Sequence, residues 1–297
     1  MNEYNGVIII NKPVGGSSHK CVSIARRALN MKKIGHTGTL DPGASGVLPL
    51  LVGTATRAAD YLTAEDKRYR AVILLGTVTD TLDMEGKVLA EHEVNVSESH
   101  VREAVMSFVG DIMQIPPMYS AISVNGQRLY NLARRGVEVE RKGRGVSIFS
   151  IDIIEISLPY VTIDVHCSKG TYIRSLAADI GEKLGCGGCI YSLMRTKCGM
   201  FGIENSITPD ELVHLCERGE EKSVIIPTDA LFERYDSIFL DKKRADRVKN
   251  GVPIYYNHAQ EGKTYRVYGE NKAFISLSCG EIIDGRMCLK LIKGFYQ

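Results

Sequence analysis

Strand-like runs dominate this chain and set its fold class. Residues 69–78 read Tyr-Arg-Ala-Val-Ile-Leu-Leu-Gly-Thr-Val, and residues 146–156 and 160–168 show the same character. Residues 6–11 form a shorter apolar run that Lys12-Pro13 ends. Helical segments alternate with these strands. Ser17 or Ser18 can cap a helix through Val22, Ile24 and Ala28. Ser97 or Ser99 can cap another, in which Val101, Ala104, Val105 and Phe108 recur at helical spacing. Residues 57–62 suggest a helical turn, residues 171–184 a longer helix, and Pro209 opens one that runs to about residue 218. Residues 35–53 are glycine-rich and read as loop with short extended pieces. The expectation is a strand-rich α+β domain with helices on its outside.

The 297 residues suffice for one large domain or two of unequal size, with a core that needs no staples. The formal net charge is only +2, so any nucleic-acid partner must announce itself through local clustering. Two segments cluster charge. Residues 114–144 hold Arg128, Arg134, Arg135, Arg141, Lys142 and Arg144, with Tyr119 and Tyr130 among them and a Val124-Asn125-Gly126 turn signal. Aromatics beside arginines can stack on bases and pair with phosphate, and a solvated basic helix-loop would look the same. Near residue 237 the character changes. Lys242, Lys243, Arg244, Arg247 and Lys249 lie on one amphipathic stretch, followed by short strands with turn signals at Gly262, Gly269, Gly280 and Gly285. That spacing suits a small β-barrel-like module.

The eight cysteines are diluted in a long chain with no secretory signal, which points to free thiols in a reducing cytoplasm. Cys186-Gly-Gly-Cys189 has the spacing of half a zinc site, without a second half, so small buried thiols are the plainer reading. No apolar run approaches a membrane span.

One stretch carries chemistry. Gly35-His36-Thr37-Gly38-Thr39-Leu40-Asp41-Pro42-Gly43-Ala44-Ser45-Gly46-Val47-Leu48 is a loop whose glycines let backbone approach a ligand closely. It offers one carboxylate, Asp41, before a proline that biases it to an extended conformation. By itself an Asp-Pro in such a loop is an ordinary turn. No Gly-Lys-Ser/Thr closes the run, so it is not a Walker A loop.

This run resembles the catalytic-aspartate motif of the TruB family of tRNA pseudouridine synthases, and further motifs follow in the family's order. Asn11-Lys12-Pro13 resembles its first motif, and Lys67-Arg68-Tyr69-Arg70-Ala71 its basic-tyrosine motif. Thr79-Asp80-Thr81-Leu82-Asp83 with Gly86 resembles the segment after the next strand. Pro116-Pro117-Met118-Tyr119-Ser120-Ala121, then Gly126 and Arg128-Leu129-Tyr130, resembles the RNA-contacting thumb insertion. Cys167-Ser168-Lys169-Gly170-Thr171-Tyr172-Ile173-Arg174 resembles the remaining active-site motif, followed by Leu193-Met194-Arg195. Two positions depart from the family: Ser123 stands where lysine is usual, and Thr196 where an apolar residue is.

The resemblance implies the pseudouridine synthase fold, α+β with a mixed, mainly antiparallel central sheet and flanking helices. It implies a catalytic domain over residues 1–230, with the thumb at about 114–144, and a PUA-like RNA-binding β module over 231–297. It implies isomerisation of uridine to pseudouridine at position 55 in the T arm of tRNA, a cytoplasmic reaction with no cofactor, no metal, no membrane and no obligate protein partner. The reaction breaks N1–C1′ and makes C5–C1′ on one nucleotide, without redox. One carboxylate nucleophile suffices, attacking either C1′ or C6. By resemblance Asp41 is that nucleophile, and Arg174 keeps it ionised where desolvation would raise its pKa. Tyr69 faces the target base and assists deprotonation at C5. Tyr172 and Leu193 pack around the flipped nucleotide, and His36 props the place it leaves. Lys12 and Lys67 either pair with phosphate or are solvated. A different class of reading is an RNA-binding or tRNA-folding module without catalysis, which the presence of Asp41, Tyr69 and Arg174 disfavours. A guide-RNA-dependent relative is a third, disfavoured by the long basic thumb.

Overall fold

The structure, a computed structural model, describes residues 4–296 apart from Ala121 and Asn125. The last residue of the 116–121 motif and the centre of the expected 124–126 turn therefore lie outside the described residues.

Val7, Ile8, Ile9 and Ile10 are all buried, so both faces of the first strand, Gly6–Lys12, are covered. Its partner is Ala44–Val52, antiparallel along the whole length, with Gly6 opposite Val52 and Lys12 opposite Gly46. This corrects the reading of residues 35–53 as loop. Residues 47–52 are buried on both sides, and such a strand shows a continuous apolar run rather than alternation. A second strand escapes the sequence reading altogether. Gly188–Cys198 is eleven residues long, and two register shifts, at Ile190/Ser192 and Arg195/Lys197, break its alternation.

Ten strands make the main sheet. Its path runs Ile226–Pro227, Gly6–Lys12, Ala44–Val52, Gly188–Cys198, Lys67–Leu75, Tyr160–Cys167, Arg144–Ser157, Gly110–Gln114. Its strand pairings are antiparallel except one: Ala44–Val52 and Gly188–Cys198 run parallel, with Leu193 opposite Ala44 and Arg195 opposite Gly46. Gly46 has φ +104°, and a Cβ there would meet the Arg195 carbonyl oxygen at 2.2 Å, so only glycine lets these strands close. On its other side the Arg195 strand runs antiparallel to the Tyr69 strand, with Arg195 opposite Tyr69. This three-strand register brings the Asp41 loop, Leu193 and Arg195, and Tyr69 to one place.

The helix Ile173–Lys183 lays Ile173, Leu176, Ala177 and Ile180 onto the inner sheet face against Ala71, Ile73 and Ile163. Each fully buried aliphatic side chain there contributes about 1.5–3 kcal/mol. Ser17 caps Ser18–Ala28, Ser97 caps Glu98–Met106, and Thr208 with Glu211 forms a capping box on Pro209–Arg218.

The C-terminal part is a five-stranded sheet packed on the helix Lys242–Lys249. Gly262 and Gly285 sit in turns, as expected, but Gly280 lies inside the strand Phe274–Ile283. A Cβ there would meet the Gln260 carbonyl oxygen at 2.1 Å, so this glycine serves close backbone approach instead of a turn. Phe232, fully buried among Tyr61, Tyr235, Phe274 and Phe295, joins this sheet to the main one.

Candidate active site

Asp41 stands between two clefts of about 690 and 640 Å³ that share Thr39, Leu40, Asp41, Ser120 and Arg174 as walls. Either is of the size that takes a small ligand or a nucleotide. The Asp41 side chain is 41% exposed, open to the clefts, and its Oδ2 is 2.9 Å from Arg174 Nη2. Burial pushes the Asp41 pKa up; the Arg174 charge and hydrogen bond oppose that rise, and the carboxylate of Asp83 adds to it.

Arg174 itself is almost fully buried in the first turn of the helix Ile173–Lys183. Its Nη1 donates to the Thr81 carbonyl (2.8 Å) and lies 3.6 Å from Asp83 Oδ2; its Nη2 donates to the Tyr119 carbonyl (2.7 Å). One guanidinium thus ties the Asp41 loop, the 79–83 turn and the root of the thumb. The turn is tight: Leu82 adopts φ +63°, and Asp83 accepts from Thr81 Oγ1 (2.5 Å) and Glu85 N (3.1 Å). A Cβ on Gly86 would strike Thr81 Oγ1 at 2.2 Å. Asp83 was visible in the sequence only as part of a motif, with no role attached.

Tyr172 precedes the helix and is held by Gln114, whose Oε1 accepts from Tyr172 N (2.7 Å) while its Nε2 donates to Tyr172 O (2.9 Å). Tyr69 and Leu193, on neighbouring strands, line the larger cleft with Tyr172. His36, on the short strand Ile34–His36, lines the smaller one. Its Nδ1 is buried without a partner, and burial, then Arg195 and His19, lower its pKa, so the ring is neutral near pH 7.

Neither lysine is solvated, although Lys67 does line the larger cleft. Lys12 is completely buried, and its ammonium donates to the carbonyls of Ala44 (2.6 Å), Pro13 (2.9 Å) and Pro42 (3.2 Å). It is neither solvated nor open to phosphate; it clasps the Asp41 loop to the first strand. Lys67, also buried, donates to the carbonyls of Thr63 (3.0 Å) and Glu65. Burial lowers the pKa of both. A polar side chain in an otherwise apolar sheet had no sequence signal that told a clasp from a surface contact.

Arg195 was likewise quoted in a motif but given no task. It is 1% exposed, donates from Nε to Val47 O (2.7 Å) and from Nη2 to Gly38 O (3.1 Å), and stands opposite Tyr69 on the wall of the same cleft, where its charge lowers the Tyr69 pKa. Cys186 and Cys189 are buried thiols, and among the described residues no group of three or more His, Cys, Asp or Glu stands ready to hold a metal.

The thumb leaves the sheet after Gly110–Gln114 and carries the two-strand ladder Ser123–Val124 with Gln127–Arg128 and the helix Leu129–Arg134. Arg134 lies over the Tyr130 ring at 5.8 Å. Arg141 is a strut: Nη1 donates to Pro116 O (3.1 Å), and Nη2 pairs with Glu138 at 3.5 Å. Lys142 and Arg144 stay exposed at the edge of the cleft side.

Comparison with known proteins identifies a family for the chain. Residues 26–173 match the description TruB family pseudouridylate synthase (N terminal domain), and residues 174–233 match tRNA pseudouridylate synthase B C-terminal domain. The tRNA pseudouridine synthase B of Clostridium tetani is 46% identical over 280 residues, 92% of this chain and 94% of the relative. That of Alkaliphilus oremlandii is 48% identical, covering 86% and 84%. Among solved structures, the archaeal box H/ACA sRNP Nop10-Cbf5 complex contains a chain with TM-score 0.71 and 26% identity, covering 99% of this chain and 87% of that one. A Cbf5-Nop10-Gar1 complex gives TM-score 0.72 at 26% identity, covering 98% and 85%.

Proposed function

Since this chain belongs to the TruB family of tRNA pseudouridine synthases, we propose that Asp41 is its nucleophile and uridine 55 of the tRNA T arm its target. The chain isomerises uridine to pseudouridine in tRNA. The observation that carries the assignment of Asp41 is its 2.9 Å contact with the buried Arg174 at the meeting of two clefts. Such a contact keeps a desolvated carboxylate charged and aimed. The uridine leaves its stack to reach it, at a cost of a few kcal/mol. Tyr69, Tyr172 and Leu193 then enclose the base, and His36 fills the gap left in the RNA. The catalytic unit spans residues 1–230, and residues 231–297 form a PUA-like module that adds RNA contacts through its basic helix.

The thumb over 114–144 supplies RNA contacts from the chain itself, which favours an enzyme that needs no protein partner. This differs from the two solved structures named above, which are complexes with other proteins. Purified protein with an unmodified T-arm stem-loop is the test. Pseudouridine at position 55 without any added partner supports the reading. Tight binding with no conversion favours a tRNA-folding module instead.

A further inference from the structure

Two buried arginines line the larger cleft, and only one has an acidic partner. Asp41 and Asp83 both turn to Arg174, while Arg195, equally buried, pairs with no carboxylate among the described residues. An arginine buried without an acid is strongly disfavoured unless another group offsets its charge. It donates to the carbonyls of Val47 and Gly38, and Tyr69 stands directly opposite it in the strand register, on the wall of the same cleft. The other titratable groups around this pair are Lys67 on the Tyr69 strand, Cys198 on the Arg195 strand, Cys167 on Tyr160–Cys167, and His36 and Lys12 toward the Asp41 loop. Among the described residues that line the larger cleft the one carboxylate is Asp41, and it pairs with Arg174.

A guanidinium has donors and no acceptor. Toward Arg195 the Tyr69 phenol can therefore offer only its oxygen as acceptor, which leaves its hydrogen free for another partner. Tyr69 lines the larger cleft, so a base held there is within the space that hydrogen can serve. Burial pushes the Tyr69 pKa up, which keeps the resting phenol protonated, while Arg195 lowers the cost of an eventual phenolate.

The reaction needs such a group. Breaking N1–C1′ leaves a uracil anion, and adding the nucleophile at C6 leaves an enolate, so both routes place negative charge on the base. The isomerisation then moves one proton from C5 to N1. We propose that Arg195 is a positioning residue that acts through Tyr69: it aims the phenol O–H at the uracil and carries the charge that Tyr69 acquires when its proton passes to the base. The tyrosine proton ends on N1. After C5–C1′ forms, the phenolate takes the C5 proton, the C–H electron pair restores the C5=C6 double bond, and the enzyme returns to its starting charge. This inference rests on the proposed function above.

Arg195→Lys and Arg195→Gln separate charge from shape, since both retain a donor for the loop carbonyls. Single-turnover pseudouridine formation is measured at saturating enzyme, alongside tRNA affinity at each pH. Arg195→Gln should lose about a hundredfold in rate, as for a lost preorganised donor, with affinity within about twofold. Arg195→Lys should recover part of the rate at neutral pH. It should also acquire an alkaline loss of rate that the wild type lacks, because a buried ammonium deprotonates where a guanidinium does not. If Arg195→Gln fails to fold, this pH signature alone decides. Equal rates for the two variants at neutral pH, or an Arg195→Lys profile that keeps the wild-type shape, would overturn the proposal. Asp41→Asn in the same assay separates the two levels: an active Asp41→Asn sinks the proposed function, whereas an inactive one with a wild-type-shaped Arg195→Lys profile sinks only this inference.

Discussion

The carboxylate at the centre of the site is set by opposed forces of known sign. Burial raises the Asp41 pKa, and Arg174, 2.9 Å away, lowers it. Removing the cation leaves burial and the Asp83 charge unopposed, so the pKa climbs further and a larger share of Asp41 is protonated at any mildly acidic pH. Arg174→Ala should therefore shift the acidic limb of the single-turnover rate to higher pH. At neutral pH it should lose about a hundredfold or more, and Arg174→Lys less, because lysine retains the charge without the planar fork. A limb that stays in place in a folded, chemistry-limited Arg174→Ala would show that Arg174 does not tune Asp41. The family resemblance named this pair in advance, where the residues alone read as a turn and a surface arginine. It did not disclose Asp83 or Arg195, whose roles arise from strand register and from a single αL residue, Leu82. Nor did it disclose that Lys12 and Lys67 turn inward to carbonyls. A lysine reads the same in sequence whether its ammonium meets water, phosphate or a loop.

Among elements, helices were legible almost to the residue because their caps are local: Ser17, Ser97 and Thr208 each accept from a backbone N–H three residues on. Strands were legible where one face is wet. Burial on both faces did not hide Gly6–Lys12, but Ala44–Val52 was hidden by the glycines before and within it, and Gly188–Cys198 by its register shifts. These two hidden strands form the parallel pair that builds the site. The thumb remained ambiguous in sequence between RNA contact and a wet face. Its charges should act through phosphate, so log affinity should fall with log salt by roughly 0.7 for each single-strand phosphate neutralised. Reversing charge at Lys142 and Arg144, both exposed, should shrink that slope. Arg141 should not be used for this, because it braces Pro116 and Glu138, and its loss would loosen the thumb itself. An unchanged slope on reversing Lys142 and Arg144 would leave those charges outside the RNA contact.

As a whole the molecule is a main sheet with a smaller one fastened to it by the ring cluster around Phe232. The change of composition near residue 237 placed the second sheet, which begins at Asp236–Phe239. What joins the two was not legible, since Phe232, Phe274 and Phe295 lie far apart in sequence and meet only through the fold. With a net charge of only +2, the chain as a whole offers RNA little attraction, and in the proposed reading binding rests on the thumb and the basic helix. Binding and chemistry should therefore separate cleanly in the intact enzyme. Asp41→Asn retains size and loop geometry while removing the one negative charge the mechanism needs. Single-turnover conversion of uridine 55 in a T-arm stem-loop, with affinity measured on the same preparation, should show no pseudouridine and near wild-type binding. Conversion by Asp41→Asn at close to the wild-type rate would contradict the account.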